Sequence, residues 1–244
     1  MPHVLEHSHE NSILVALPNA EAEHLRSQLE PVRFRPQRVI YEVGDPIRYV
    51  YFPTCGALSL LSSTEAGTSV EVGVVGTEGM AGIPLILGVN QMLYRVTSQL
   101  TADVLRLSAT ALLEVLRRSP RLHELLHLYL YTMLRQTTQV AICHRFHTTE
   151  ERFCRWLLTA RDCSDENSFP LTQESIAQTL GVPRTSVTMI AGRLQQLNLI
   201  SYSRGKVTIL DRKRLSKAAC ECYDVITEEN NHFRRAARVA HAPL

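Results

Sequence analysis

Between residues 171 and 209 the chain reads LTQESIAQTLGVPRTSVTMIAGRLQQLNLI and then SYSRGKVTI, and few folds satisfy that order of signals. Ile176, Ala177 and Leu180 give one short helix an apolar face, Gly181-Val182-Pro183 stops it, and Val187, Ile190, Ala191, Leu194 and Leu197 give a second helix its own. Gly181 permits a turn backbone that a side chain disfavours, and the small Ala177 lets the two helices cross closely. The alternation about Arg204-Gly205 then predicts a two-stranded hairpin. The expected unit is two crossed helices followed by a β-wing; an ordinary helical hairpin, the alternative, does not account for the wing.

Charge sets this unit apart. Residues 1–146 hold 12 basic residues, all arginine, against 13 acidic ones, whereas 147–244 hold 14 against 11. Within 170–214, seven basic residues (Arg184, Arg193, Arg204, Lys206, Arg212, Lys213, Arg214) face only Glu174 and Asp211. A basic surplus confined to one small module suits phosphate neutralisation, although the whole chain carries only +2. No apolar run approaches the ~20 residues of a membrane helix. The opening MPHVLEHSHENSILVAL lacks a basic stretch followed by an apolar one, so a cytoplasmic location and no membrane partner are expected. Six cysteines, Cys55, Cys143, Cys154, Cys163, Cys220 and Cys222, contain no CxxC pair. They read as reduced thiols, and neither a metal nor a disulfide framework is expected. His3, His7 and His9 read as a mobile tail, with metal chelation as the alternative.

Residues 33–107 offer β-rich runs, RVIYEVGD, YVYFPTCGALSLLS, TSVEVGVVG and RVTSQLTADVLRL. Turns at Gly44-Asp45, Cys55-Gly56, Ala66-Gly67 and Gly76 recur about every ten residues, the rhythm of a small antiparallel barrel or sandwich. Residues 11–29 predict a short helical preface broken by Pro18. After Ser108, ATALLEVLRRS reads as one helix, and Pro120 opens a long one. Along it Leu122, Leu126, Tyr129, Met133, Gln136, Val140 and Cys143 recur at four- and three-residue spacing, widened by Leu125, Leu128 and Ile142. A helix of about 26 residues is ~39 Å long, more than one small barrel covers. Pairing of this seam with its twin in a second copy is therefore expected, with burial beneath the barrel as the alternative. His147-Thr148-Thr149 reads as a hinge and helix cap, and residues 211–238 as a further amphipathic helix with a basic end, packed on the preceding module or, alternatively, contacting a partner.

Counted from Gln173, alanine falls fifth, glycine ninth and branched aliphatics fifteenth and eighteenth, a spacing that closely resembles the DNA-binding helix-turn-helix. With the phrases YEVGDP, CGALSLL and VVGTEGMAGIPLILG, the element order resembles the Crp/Fnr superfamily of transcription regulators over nearly the whole chain. The resemblance implies an α+β architecture. Residues 1–146 would hold a β-roll of the cyclic-nucleotide-binding jelly-roll type with a dimerisation helix at about 120–146; residues 147–244 would hold the winged helix-turn-helix and its helical extension. It also implies a homodimer on near-palindromic double-stranded DNA, with RNA polymerase as a further partner of an activator.

In a major groove, Arg184, Thr185, Thr188 and Met189 would reach base edges, Arg184 as a two-donor match for guanine or, alternatively, a phosphate contact. Thr172, Gln173, Ser186, and Arg204 and Lys206 on the wing fall where phosphates are gripped, with solvated charge as the alternative for the last two.

Departures from the family pattern bear on the effector. Cyclic-nucleotide-binding members carry a Gly-Glu pair for the ribose and an Arg-Ser or Arg-Thr pair for the phosphate; here the first is reversed as Glu78-Gly79, and Met92-Leu93 stand near the second. Arg95 is close in sequence, but apolar Met92 and Leu93 cannot hold a phosphate. The possible effector pocket is thus Glu78, Gly79, Met92, Leu93 and Arg95, with cyclic AMP not expected. An N-terminal iron–sulfur cysteine cluster and a haem-ligand pair are absent from the sequence, and no cofactor is expected. An enzyme is not expected either, since no Gly-rich phosphate loop, HExxH or GxSxG occurs and Cys154, Cys163, His144 and His147 form no recognisable triad. The expectation is a sequence-specific regulator gated by an unidentified effector. The alternative is a purely structural roll, with control by protein level or by thiols such as Cys143 and Cys55.

Overall fold

The computed structural model describes residues 10–164 and 166–239; His3, His7 and His9 lie outside them. The helical preface forms as α1 (Ser12–Val15) and α2 (Asn19–Arg26), with Pro18 capping the second. Seven strands follow: β1 (Glu30–Phe34), β2 (Arg38–Tyr41), β3 (Tyr49–Cys55), β4 (Leu58–Ser63), β5 (Ser69–Val75), β6 (Arg95–Ser98) and β7 (Ala102–Ser108). They make two antiparallel sheets, ordered β1-β7-β3 and β2-β6-β4-β5. Val50, Phe52, Leu58, Leu60, Val75, Val96, Val104 and Leu107 fill the space between them. The glycine turns lie where the alternation breaks, and Gly44, Gly56 and Gly67 take the left-handed backbone.

Ser108 caps α3 (Ala109–Leu116), and Ser119 caps the 27-residue α4 (Pro120–Phe146) with Pro120 at its first position. At His147 the backbone returns to extended geometry. Thr148 and Glu151 then form a reciprocal cap, with Glu151 Oε2 accepting from the Thr148 amide at 2.7 Å and Thr148 Oγ1 from the Glu151 amide at 3.3 Å. This starts α5 (Thr149–Ser164). The head continues as β8 (Ser168–Pro170), α6 (Gln173–Leu180), α7 (Arg184–Gln196), β9 (Ile200–Ser203), β10 (Lys206–Ile209) and α8 (Arg212–Ala218); α9 (Cys222–Val239) ends the described chain. The architecture is the α+β arrangement of β-roll, long helix and winged helix-turn-helix.

Two expectations fail here for one reason, the course of α9. Beyond its first turn the tail helix leaves the winged module and runs back antiparallel along α4. Cys222 meets Gln139, Glu229 meets Arg135, Asn230 meets Gln136, Phe233 meets Tyr129, and the Ala237 carbonyl meets Arg121. On the head, α8 packs against α5, and the first turn of α9 touches α5 too, with Tyr223 in the head's core and its hydroxyl bonded to Asp162. The expected dimer seam is in consequence covered within one chain. Leu122, Leu126, Tyr129 and Met133 join the core of the roll, and Gln136, Val140 and Cys143 are buried as well. An a/d stripe states that something covers a helix, not whether the cover comes in cis or in trans. What α4 leaves exposed is the opposite face, with Tyr131, Leu134, Ile142 and Phe146.

Candidate nucleic-acid interface

The head is assembled around Phe153, Trp156, Leu157, Ile176, Leu180, Val187, Leu194 and Val207. Thr172 Oγ1 accepts from the Ser175 amide at 3.1 Å and so opens α6. Gly181 closes it with φ +64, and a Cβ there would press on Val70 of β5 at 3.3 Å. Pro183 leads into α7 with no side-chain cap, so the positive end of that helix has no acceptor supplied by a side chain. The wing pairs β10 with both β8 and β9, and Arg204 and Gly205, at φ 51 and 73, make the tight turn.

The expected base-reading residues share one exposed face at the start of α7: Arg184, Thr185, Thr188 and Met189, the last 75% exposed. The expected phosphate contacts divide. Arg204 and Lys206 project from the wing, and Ser186 is half-buried. Gln173 instead turns toward the reading face, its Oε1 accepting from Thr188 Oγ1 at 3.0 Å and Arg184 Nε at 3.3 Å, which fixes the guanidinium. Thr172 is engaged in the cap and accepts from Gln37 Nε2 of the roll at 3.3 Å. Arg193 pairs with Glu150 and Arg212 with Asp162. Arg184, Arg204, Lys206, Lys213 and Arg214 make no ion pair among the described residues, so this surface keeps its positive charge unspent.

The five expected effector residues do not line a common pocket. Glu78 is buried, accepts from the Gly76 amide at 2.8 Å and pairs with Arg234 of α9 at 3.0 Å. Gly79 lies under the Tyr129 ring, where a Cβ would come within 2.0 Å of it, so this glycine serves the packing of α4. Met92 is buried, Leu93 is exposed, and Arg95 turns outward to Glu42 at 2.7 Å. The space beside Met92 is about 190 Å³ and is lined by Leu60, Val75, Met80, Ile83, Tyr94 and Met133 among others, without a charged side chain. A larger cleft, about 850 Å³ with its open mouth, lies instead between β5, α4, α5 and α9, where Glu71, Glu78, Gln136, Arg155, Asn230 and Arg234 converge. Local sequence signals do not reveal it, because one wall is α9, whose course along α4 rests on long-range contacts.

In that cleft Glu71 joins roll to head: its Oε2 accepts from Ser59 Oγ at 2.6 Å and from Trp156 Nε1 of α5 at 3.3 Å. Burial raises its carboxyl above the ordinary range, against the opposing hydrogen bond from Ser59. Burial also pushes the Cys154 thiol up to about 12 and raises Cys163, so neither is an activated nucleophile. The absence of a CxxC pair concealed a further grouping: Cys143, His147, Cys220 and Cys222 come together where α4 ends and α9 begins, their ligand atoms all within 4.8 Å of one another. The signals available were Cys143 and His147 four residues apart and Cys220-x-Cys222.

An antiparallel roll feeding a long helix and a basic winged head defines a DNA-binding regulator with an attached ligand-binding fold. Comparison with known proteins bears this out. Residues 31–119 match the cyclic nucleotide-binding domain and residues 151–218 the Crp-like helix-turn-helix domain. The global nitrogen regulator of Nostoc sp. is 25% identical over 213 residues, which are 83% of this chain and 96% of that protein. Among solved structures, a Crp/Fnr-family transcriptional regulator from Eubacterium rectale matches with a TM-score of 0.67 at 20% identity, covering 86% of this chain and 99% of that one. The c-di-GMP responsive global regulator CLP of Xanthomonas campestris matches with a TM-score of 0.64 at 16% identity, covering 80% and 100%. The chain belongs to the Crp/Fnr superfamily of transcription regulators. Among the described residues, no helix is long and apolar enough to cross a membrane.

Proposed function

We propose that this regulator works in the cytoplasm as a homodimer on near-palindromic double-stranded DNA, with residues 1–146 as sensor and 147–244 as reader. The observation that carries the reading is the exposed face of Arg184, Thr185, Thr188 and Met189, flanked by wing cations that no acid neutralises among the described residues. That is the combination base readout and phosphate contact require. The outer face of α4, with Tyr131, Leu134 and Ile142, is the seam offered to a second copy, in place of the inner stripe. RNA polymerase is the further partner if the protein activates.

The effector in this reading is a small polar molecule other than cyclic AMP. A nucleotide phosphate needs buried cationic or hydroxyl partners, and the small apolar space beside Met92 supplies none. The cleft between roll and α9 is the roomier of the two and has the convergent polar groups. Selection of bound sequences from random duplex DNA, with and without a small-metabolite extract, tests this. A two-fold-symmetric site with half-sites about one helical turn apart and metabolite-dependent occupancy is expected. Sequence-indifferent binding would sink the regulator reading, and enrichment driven by added cyclic AMP would sink the effector part.

A further inference from the structure

We propose that Cys143, His147, Cys220 and Cys222 form a tetrahedral site for one zinc-class divalent ion, clamping the start of α9 to the end of α4. The four residues come from two distant stretches of the chain: Cys143 from the last turn of α4 and His147 from the residue that terminates it, Cys220 from the turn after α8 and Cys222 from the first position of α9. The three cysteines are buried and pack as a cluster of their own.

The spacing matches a single ion. Zinc–sulfur and zinc–nitrogen bonds of about 2.3 and 2.0 Å place tetrahedral ligand atoms about 3.5–3.8 Å apart. Here Cys143 Sγ and Cys220 Sγ are 3.5 Å apart, as are Cys222 Sγ and His147 Nδ1, and the four ligand atoms all fall within 4.8 Å of one another. An iron–sulfur cluster interposes several iron and sulfide atoms between its cysteines and needs wider spacing. Three thiolates and one imidazole are the donor set of structural zinc.

The surroundings orient and neutralise the site. Glu221 Oε1 lies 3.2 Å from His147 Nε2; as a carboxylate it accepts, so Nε2 carries the proton and the Nδ1 lone pair points at the thiols. Gln139 Nε2 donates to Cys222 Sγ at 3.0 Å. Three thiolates around a divalent ion leave one negative charge. Arg152 and Arg155, both buried, act electrostatically on Cys143 and have no carboxylate ion-pair partner among the described residues. The site ties the sensor helix, the hinge and the C-terminal helix together at a single point.

The full-length chain purified under reducing conditions should carry one zinc per chain by elemental analysis. Replacement by cobalt should give thiolate-to-metal charge transfer and the strong visible absorption of a tetrahedral sulfur-rich site. Cys222→Ser should weaken zinc retention against a chelator by more than about tenfold. Cys55→Ser, far from the cluster, should not. Because a ligand variant can misfold, His147→Cys provides the second arm: four thiolates should keep the ion and intensify the charge-transfer band. Absence of zinc together with failure to take up cobalt, an iron–sulfur chromophore, or a Cys143–Cys220 disulfide in the reduced preparation would each overturn the proposal.

Discussion

Phe233→Ala tests the course of α9, on which the covered seam and the cleft both depend. The ring is fully buried, belongs to the core of the roll and stands edge-on to Tyr129, with centroids 5.6 Å apart. Truncating such a ring costs about 3–5 kcal/mol, of which the aromatic pair accounts for about 0.5–1.5. The polar links nearby cannot replace it: Arg135 and Glu229 form a pair with the arginine 51% exposed, where water screens the attraction. The loss should emerge in two observables. The urea midpoint should fall by the equivalent of about 3 kcal/mol or more, or α9 should detach before the rest unfolds. Hydrogen exchange separates these, because detachment deprotects 222–239 and the α4 segment around Tyr129 and Met133 while leaving α6 and α7 protected. A change under about 1 kcal/mol with exchange in α9 unaltered would refute the docking. Deprotection confined to α5 and α8 would instead place the tail on the head.

Four further outcomes follow from particular contacts. Arg184→Ala should cost about 1–3 kcal/mol on the selected operator and relax one base position, whereas Lys206→Ala should weaken all sequences alike and lower the salt slope by about 1, both measurable by fluorescence anisotropy at several salt concentrations. Gly79→Ala should destabilise by about 3 kcal/mol in urea titrations, since its Cβ would meet the Tyr129 ring at 2.0 Å; an unaffected midpoint would show that α4 can retreat freely. Leu134→Glu should shift the sedimentation equilibrium toward monomer if the outer face of α4 is the dimer seam, and an unchanged mass would discard that seam. Glu71→Gln probes linkage: burial raises the folded carboxyl, so between the ordinary glutamate value near ~4.3 and the raised folded value the native chain binds more protons and stability falls as pH rises. The variant should lose that decline in denaturation curves taken across the acidic range, while a slope identical to that of the parent would mean Glu71 titrates normally.

The head was legible because its signals are local. Gly181 requires a left-handed backbone, Thr172 supplies a cap three residues before Ser175, and Arg204-Gly205 is a hairpin turn, and each acts over fewer than about five residues. The strands of the roll were legible for the same reason, down to the turns at Gly44, Gly56 and Gly67. The identity of what covers α4 was not, since Leu122 and Tyr129 read the same against a partner helix or against Phe233 of the same chain. The effector residues failed through assumption of a shared pocket: Leu93 and Arg95 face outward, and Glu78 is taken by Arg234, 156 residues away. The cysteine cluster failed similarly, because Cys143 and Cys220 meet across 77 residues and only the return of α9 brings them together.

Those long-range contacts converge at the end of α4, which gives the hinge a definite mechanical character. Arg152 donates from Nη1 to His144 Nδ1 at 2.6 Å and to the Leu180 carbonyl at 3.0 Å, and from Nη2 to Thr149 Oγ1 at 3.2 Å. It thereby joins the last turn of α4, the first of α5 and the end of α6. For His144 to accept at Nδ1 its proton must sit on Nε2, which faces the Glu71 carbonyl at 3.3 Å, and burial lowers its basicity in keeping with a neutral ring. The roll, the long helix and the helix-turn-helix therefore meet in one hydrogen-bonded chain, Glu71–His144–Arg152–Leu180. A displacement of β5 or of the end of α4 cannot leave α6 where it is without breaking one of these hydrogen bonds, of which the one from Arg152 to the Leu180 carbonyl is buried. Since α7 is held to α6 through Gln173 as well as by the head's core, a shift arising in the cleft reaches Arg184 through a short run of packed and hydrogen-bonded groups.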